Sequence, residues 1–338
     1  MNLPLARYRF TFTVTRDIHL PEYAGSMLRG AFGHALRSVS CMTRQKECAG
    51  CPLQTTCPYP AVFAPVPPSE HALQKFSQIP VPYVIEPEHS AVRHYTQGET
   101  FRFDMVLMGR ALAELPLIIL AWRRALARGL GKSEGTGELE TVSIITANGE
   151  ETTVFTPNIG QIQAHTALTV WPDHDKNPSP NWVELHFITP LRLQENGKAL
   201  PPNRLTPRAL LMALVRRIHL LAEFHLGGAR QADFSALGEM AANIQSQPTE
   251  MPLHWQDWTR YSSRQGQSMK LGGVIGKWRL SGNLAPFMPY LKLGTLLHIG
   301  KEAAFGLGYY RLSEHNLSKP AEYREHAGQP ADFLEEIV

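Results

Sequence analysis

Four cysteines, Cys41, Cys48, Cys51 and Cys57, lie in one short stretch and are the only ones in the chain. Their spacing is Cys-x6-Cys-x2-Cys-x5-Cys, and the central Cys-x2-Cys pair is typical of a structural zinc site. Four thiolates leave no open coordination position, so we expect structural zinc here. Two disulfides, an iron–sulfur cluster or free thiols are the alternatives that this spacing leaves open.

His34 is a second candidate for chemistry. A helix predicted over residues 23–38 buries one apolar stripe, and His34 lies about 120° from the centre of that stripe. An imidazole outside the core and one turn from Arg37 is placed to transfer a proton, and a solvated surface histidine is the alternative. His298, close to Gly300 and Lys301, is a weaker candidate for the same role.

The segment over residues 260–312 is basic, with eight Lys or Arg residues against the single acid Glu302, although the whole chain has a net charge of only +3. Aromatic residues are interleaved with these cations, which suits a polyanion whose rings can stack, such as RNA. Tyr309 is a candidate for base stacking, and Gly306 and Gly308 are candidates for close backbone approach to a ligand or a neighbouring chain. A tight turn and core packing are the alternatives. The candidate cations for RNA recognition, which a solvated basic face would also explain, are Arg260, Arg264, Lys270 and Lys277.

Length and composition indicate a globular protein with two domains. The chain has 338 residues, of which 43% are apolar and 19% charged. The most apolar window, residues 113–120, contains Glu114 and Pro116 and is too short to cross a bilayer. The first ten residues lack the apolar run of a signal peptide, so we expect a cytoplasmic protein with no membrane partner.

The first half has the element order strand, helix, strand, strand, helix, strand. Apolar residues alternate over residues 8–15, and later apolar stripes have strand or helix periodicity. Asn148-Gly149 predicts a hairpin turn after the last strand. The elements after the first strand are predicted over residues 23–38, near 83–85, and over 100–108, 115–128 and 139–146.

The same order recurs after a polar, proline-bearing stretch over residues 172–181, which we interpret as a linker. The second half is predicted to contain a strand over 182–193, a helix capped by Thr206, a strand pair over 268–281 with Gly272-Gly273 at or near its turn or a bulge, a helix over 283–297 and a final strand. Gly-Leu-Gly precedes the last strand in both halves. We therefore predict an α+β chain of two tandem ferredoxin-like domains, residues 1–171 with the cysteine loop inserted and residues 182–312, followed by a polar tail over 313–338.

Longer stretches of the sequence resemble one known family. The second half contains WTRYSSRQ, LGGVIGKWRLSGNL and LHIGKEAAFGLGYYRL, and the first contains GSMLRGAFGHALR followed by the cysteines and CPLQTTCPYPAVF. Their order over residues 20–312 resembles that of the CRISPR-associated endoribonucleases of the RAMP superfamily, which process precursor crRNA. The resemblance implies tandem ferredoxin-like domains and metal-independent cleavage of a CRISPR repeat RNA, with the product kept bound as a guide.

The reaction that the resemblance implies is attack of a ribose 2′-OH on the adjacent phosphate, which gives a 2′,3′-cyclic phosphate and a 5′-OH. It needs a base, a cation for the charge that develops on the phosphorane, and an acid for the leaving oxygen. The family pattern places the base near the first helix, where this chain has His34, and Arg37 or Lys301 would supply the cation. The implied partners are CRISPR repeat RNA, crRNA and other CRISPR-associated proteins, and no catalytic metal is expected.

Two other functions are compatible with the sequence. A non-catalytic crRNA-binding subunit of a CRISPR interference complex would retain RNA without cleaving it. A zinc-stabilised protein-interaction module would bind an acidic partner and carry no RNA. The internal repeat and the basic segment favour an RNA binder, and only the family resemblance favours cleavage.

Overall fold

A computed structural model describes most of the chain. The described residues are 3–68, 79–89, 93–131, 134–146, 148–170, 180–228, 232–257, 259–262, 267–270 and 272–316. Arg264, most of the predicted linker and the predicted tail beyond residue 316 lie outside these ranges. Within them, no helix is both long enough and apolar enough to cross a membrane.

The first domain contains three helices and eight strands within the described residues. In chain order they are β1 (Leu3–Arg16), β2 (Ile18–His19), α1 (Gly25–Ser40), α2 (Pro58–Val62), β3 (Tyr83–Pro87), β4 (His94–Tyr95), β5 (Thr100–Met108), α3 (Leu115–Arg128), β6 (Thr136–Ile145), β7 (Glu151–Phe155) and β8 (Leu168–Val170). The hairpin predicted from Asn148-Gly149 is confirmed, since β6 and β7 pair antiparallel on either side of it.

The strands of the first domain form an antiparallel sheet in the order β3-β5-β1-β6-β7, and β8 also pairs with β1. Strand β1 is central because it alternates: Phe10 and Phe12 are fully buried on one face, whereas Arg7 and Arg9 lie on the other. Helices α1 and α3 cover the buried face, where α3 contributes Trp122. The arginine-bearing face of β1 is therefore left open by the helices.

The second domain repeats this arrangement with a smaller sheet. Its elements are β9 (Trp182–Leu191), β10 (Gln194–Glu195), β11 (Lys198–Ala199), α4 (Pro207–Leu226), α5 (Phe234–Ala242), β12 (Gln245–Gln247), β13 (His254–Gln256), β14 (Thr259–Ser262), β15 (Gln267–Lys270), β16 (Gly273–Ser281), α6 (Met288–Leu297) and β17 (Tyr310–His315). The sheet order is β12-β16-β9-β17, with β13 also paired to β16.

In both sheets the third strand of the repeat lies between the first and second strands, and the fourth strand lies beside the first. Neighbouring strands are antiparallel. This is the ferredoxin-like arrangement predicted from the element order. As predicted, Thr206 caps α4: its hydroxyl oxygen accepts a hydrogen bond from the Ala209 amide at 3.1 Å.

Some boundaries in the second domain differ from those predicted. Gly272-Gly273 does not form the turn of a hairpin: β15 pairs with β14, and β16 begins at Gly273 and pairs with β13, β12 and β9. Helix α6 begins at Met288 rather than at residue 283, which places Pro289 in the first turn, where its missing N–H costs no helical hydrogen bond. Strand β17 continues to His315, so the predicted tail does not begin at residue 313.

The two domains share apolar packing. The core of the second domain continues onto Leu3, Leu5, Val84 and Met108 of the first domain, all of which are essentially inaccessible to solvent. Burial of these apolar side chains favours association of the two domains.

Candidate active site

A loop over residues 298–309, here called the glycine-rich loop, joins the two domains. It contains a short 3-10 helix, Ala303–Phe305, which packs against the start of α1. A Cβ at Gly25 would overlap the carbonyl oxygen of Phe305, and a Cβ at Gly306 would lie 2.9 Å from the oxygen of Ile85. Glycine at these two positions allows the backbones of the two domains to touch.

The loop glycines do not offer free amides to a ligand. The N–H of Gly306 donates to Ala303 O at 3.0 Å, and the N–H of Gly308 donates to Pro190 O at 3.1 Å. Their φ angles are +96° and +70°, a region that favours glycine. Gly306 brings its backbone close to Ile85 of the first domain. Both amides are hydrogen-bonded within the protein, and RNA binding at these two glycines stays a prediction.

His298 lies at the base of the loop and is fully buried. Its Nε2 is 2.9 Å from Oε1 of Glu86 in the first domain, and the guanidinium of Arg7 is 2.8 Å from the other oxygen of the same carboxylate. Burial raises the pKa of Glu86, but the hydrogen bond from His298 and the charge of Arg7 outweigh it and hold this pKa below its ordinary value. His298 therefore links the domains and is not exposed to act as a base.

His34 and Arg37 lie toward the other end of α1. His34 is exposed, as predicted. It follows Gly25 by nine residues, which places it about 14 Å further along the helix axis than the contact with the glycine-rich loop. Arg37 donates to the carbonyls of Gln45 and Lys46 in the cysteine loop, so its guanidinium holds that loop. Among the described residues, the structure shows no contact that brings His34 to Lys301.

The predicted catalytic Lys301 and the predicted RNA-binding residues have different environments. Lys301 is exposed in the glycine-rich loop, and Lys277 on β16 forms an ion pair of 2.9 Å with Glu184. Arg260 and Lys270 lie in the hairpin β14–β15. Tyr309 is half-buried, and its ring stacks on His89 with centroids 4.8 Å apart and planes 8° from parallel. Tyr309 thus takes part in an aromatic stack at the boundary of the two domains.

The four cysteines have free thiols that line one cavity of about 20 Å³. Burial raises the pKa of Cys48, and the nearby Arg37 partly offsets this effect. Four sulfur donors around one cavity suit zinc chemically. In the described part of the chain, however, no group of three or more His, Cys, Asp or Glu side chains is arranged to hold a metal ion. The zinc site stays a prediction.

A larger cavity, of about 180 Å³, lies where the open face of the first sheet meets the glycine-rich loop. Tyr309 and His89 form part of its wall. Its charged residues were not among the predicted site residues, although Arg7 and Arg9 at alternate positions of β1 and an acid in the otherwise apolar β3 were visible signals. The charged residues that line it are Arg7, Arg9, Arg102, Glu86, Glu88 and Asp104.

Two family models match separate parts of the chain. Residues 185–310 match the family of the CRISPR-associated endoribonuclease Cas6, and residues 3–167 match AF_1859_N, described as an N-terminal domain. An uncharacterised protein of Archaeoglobus fulgidus is 27% identical over 301 residues, which cover 87% of this chain and 93% of that protein.

Solved structures share the fold. Thermus thermophilus Cas6 in a product complex is 14% identical, with a TM-score of 0.55, over 92% of this chain and 99% of that one. A chain of a partial Cas6-RT-Cas1–Cas2 complex is 15% identical, with the same TM-score, and this chain spans 46% of its length. These two likenesses support the tandem ferredoxin-like fold. The family match over residues 185–310 covers more than a third of the chain and supports an endoribonuclease that processes CRISPR RNA.

Proposed function

We propose that this endoribonuclease cleaves the repeat RNA of precursor crRNA without a metal ion, by attack of a ribose 2′-OH that leaves 2′,3′-cyclic phosphate and 5′-OH ends. The observation that carries the proposal is the extent of the Cas6 match. Residues 185–310 include the glycine-rich loop, whose 3-10 helix packs against the start of α1. The proposed catalytic surface therefore runs along α1 from this loop toward His34.

In this proposal His34 is the base that takes the proton of the 2′-OH, because its imidazole is exposed on α1. Lys301 supplies the cation that stabilises the phosphorane. Arg37 is a poorer candidate for the cation, since its guanidinium already donates to two backbone carbonyls. A base and a cation that serve one phosphate must both lie within hydrogen-bond reach of it.

The test is cleavage of end-labelled repeat RNA, from the CRISPR locus of the same genome, in excess EDTA. Wild-type protein should cut at one site and leave a cyclic phosphate, and RNA with a 2′-deoxyribose at that site should bind but stay intact. His34→Ala should slow the single-turnover rate about 100-fold or more. His254→Ala is the matched control, since His254 is also exposed but lies on β13.

Each outcome decides a different part of the proposal. Cleavage that persists in His34→Ala and is lost in Lys301→Ala would keep the reaction and move the base elsewhere. Cleavage that EDTA abolishes would refute the metal-independent mechanism. Tight binding of repeat RNA with no cleavage by the wild type would favour a guide-binding role instead.

We also propose that Cys41, Cys48, Cys51 and Cys57 hold a structural zinc ion. The support is the donor set: four thiols that line one cavity, in a loop held to α1 by Arg37. Elemental analysis of purified protein should give one zinc per chain, and Cys48→Ser should remove it. Absence of zinc from protein purified without chelator, with thiols that titrate as free, would refute the proposal.

A further inference from the structure

The proposed cleavage reaction does not use the 180 Å³ cavity between the open face of the first sheet and the glycine-rich loop. The cavity has room for about six water molecules at ~30 Å³ each. It is smaller than the pockets of ~300–1,000 Å³ that hold drug-sized ligands. A group that fills it is therefore about the size of one flat ring system.

The charges that line the cavity are balanced. Three arginines face three acids, and the pairs are close: Arg9 Nε lies 2.9 Å from Asp104, and Arg102 Nη2 lies 2.8 Å from Glu88. The third arginine, Arg7, pairs with Glu86. A phosphate would add a negative charge where no positive charge is in surplus. A neutral group with hydrogen-bond donors and acceptors at its edge has no such cost.

The wall of the cavity also offers an aromatic surface. His89 and Tyr309 stack face to face, and the ring of Tyr309 lies 5.2 Å from that of His298 behind it. His89 is exposed, so a further ring can extend the stack on its outer side. Stacking on an aromatic side chain is the common way in which proteins hold unpaired RNA bases.

We propose that this cavity binds one unpaired base of the RNA, stacked on the His89–Tyr309 pair and hydrogen-bonded at its edge by the paired arginines and acids. The proposal rests on the proposed function in one respect, that the chain binds repeat RNA. Its occupant is a base, and the phosphates of the same strand lie outside the cavity.

The test measures the affinity of repeat RNAs that carry a single abasic nucleotide, moved position by position, with a 2′-deoxyribose at the scissile site to prevent cleavage. In wild-type protein, one position should cost about tenfold or more in affinity. In Tyr309→Ala, the abasic and intact RNAs should bind within about twofold of each other, because His89 loses the ring that holds it in the stack beneath the base. Arg204→Ala is the control, since Arg204 is exposed, pairs with Glu195 and lies outside the cavity, and it should keep the tenfold penalty.

Arg102→Ala gives a second reading that does not depend on the loop. The Arg102 side chain is 49% exposed, so its loss should not unfold the protein. It should reduce the abasic penalty while the salt dependence of binding stays that of the wild type. A slope of log Kd against log salt that falls by about 0.7 would mean that Arg102 contacts a phosphate, and it would overturn the proposal.

An abasic penalty that is identical in wild type, Tyr309→Ala and Arg102→Ala at every position would also overturn it. The cleavage assay on unmodified RNA separates this result from failure of the proposed function. Intact cleavage with no cavity-dependent position refutes only the base site. A cavity-dependent position without cleavage refutes only the nuclease mechanism.

Discussion

The tripeptide Gly-Leu-Gly occurs in both domains, and the two copies have different neighbours. In the first domain Gly129 ends α3, and the copy packs within its own domain: Leu130 bridges to Gly135, and a Cβ at Gly131 would lie 2.9 Å from the sulfur of Met27. In the second domain Gly306 packs against Ile85 of the first domain. The first copy therefore packs within one domain, and the second copy packs against the other domain.

Glu86 and Glu184, one acid from each domain, also differ in whether their partners lie in the same domain. Glu86 of the first domain is contacted by Arg7 of its own sheet and by His298 of the other domain. In the second domain, Glu184 on β9 is contacted by Lys277 and Arg279, both on the neighbouring strand β16. Each acid has two side-chain partners, but only Glu86 is contacted across the domain boundary. The second copy of the repeat therefore supplies both a backbone contact and a side-chain contact between the domains.

The glycines give the largest expected difference between the copies. At Gly308 a Cβ would overlap the carbonyl oxygen of Ile299, and the φ of +70° disfavours any other residue. Gly308→Ala should lower the free energy of unfolding by about 4 kcal/mol. Gly131→Ala has a similar φ, +66°, but would meet only the flexible end of Met27, so it should cost about 1–2 kcal/mol.

Urea unfolding of the two glycine variants, followed by tryptophan fluorescence, measures this difference. Equal losses in both would show that backbone conformation alone decides the cost, and that the closeness of the carbonyl has no further effect.

The two acids give the next largest difference. The Glu86 side chain is 8% exposed, so Glu86→Gln leaves a buried histidine and a largely buried arginine without their carboxylate and should cost about 3 kcal/mol. Glu184→Gln should cost about 1 kcal/mol, because Lys277 and Arg279 are each about 30% exposed and can be solvated. Limited proteolysis between the domains should accelerate in Glu86→Gln alone. Faster cleavage in Glu184→Gln as well would show that Glu86 has no special part in the domain contact.

Elements with local signals could be predicted from the sequence. Strand β5 has the predicted bounds, residues 100–108, and α3 has the predicted bounds, 115–128, because a continuous apolar pattern and a glycine at the end of α3 define them within a few residues. The ferredoxin-like order followed from the internal repeat. The turn at Gly272-Gly273 was wrong because the choice between β15 and β13 as the partner of β16 depends on tertiary pairing.

The candidate site was less predictable. The exposure of His34 followed from helical periodicity. The hydrogen bonds that Arg37 donates to the cysteine loop depend on the positions of backbone carbonyls, for which the sequence has no signal. The contact between Glu86 and His298 joins residues 212 positions apart, and neither residue type indicates the other. The cavity at the domain boundary could not be predicted either, because it forms only when Tyr309 of one domain meets β1 of the other.

The smallest expected effect is the pH dependence of the domain contact. The pKa of Glu86 is lower in the folded protein than its ordinary value of 4.5, so the folded state binds fewer protons at this group than the unfolded state. Its contribution to stability is therefore complete above pH 4.5 and is lost as the pH falls below that value. Asp104, whose pKa burial raises, contributes in the opposite direction, so Asp104→Asn should make the acid-induced loss steeper. Unfolding free energies measured from pH 6 to pH 3 should therefore fall in the wild type, fall more in Asp104→Asn, and fall less in Glu86→Gln. If Glu86→Gln keeps the wild-type slope, the acid-sensitive contact lies elsewhere in the molecule.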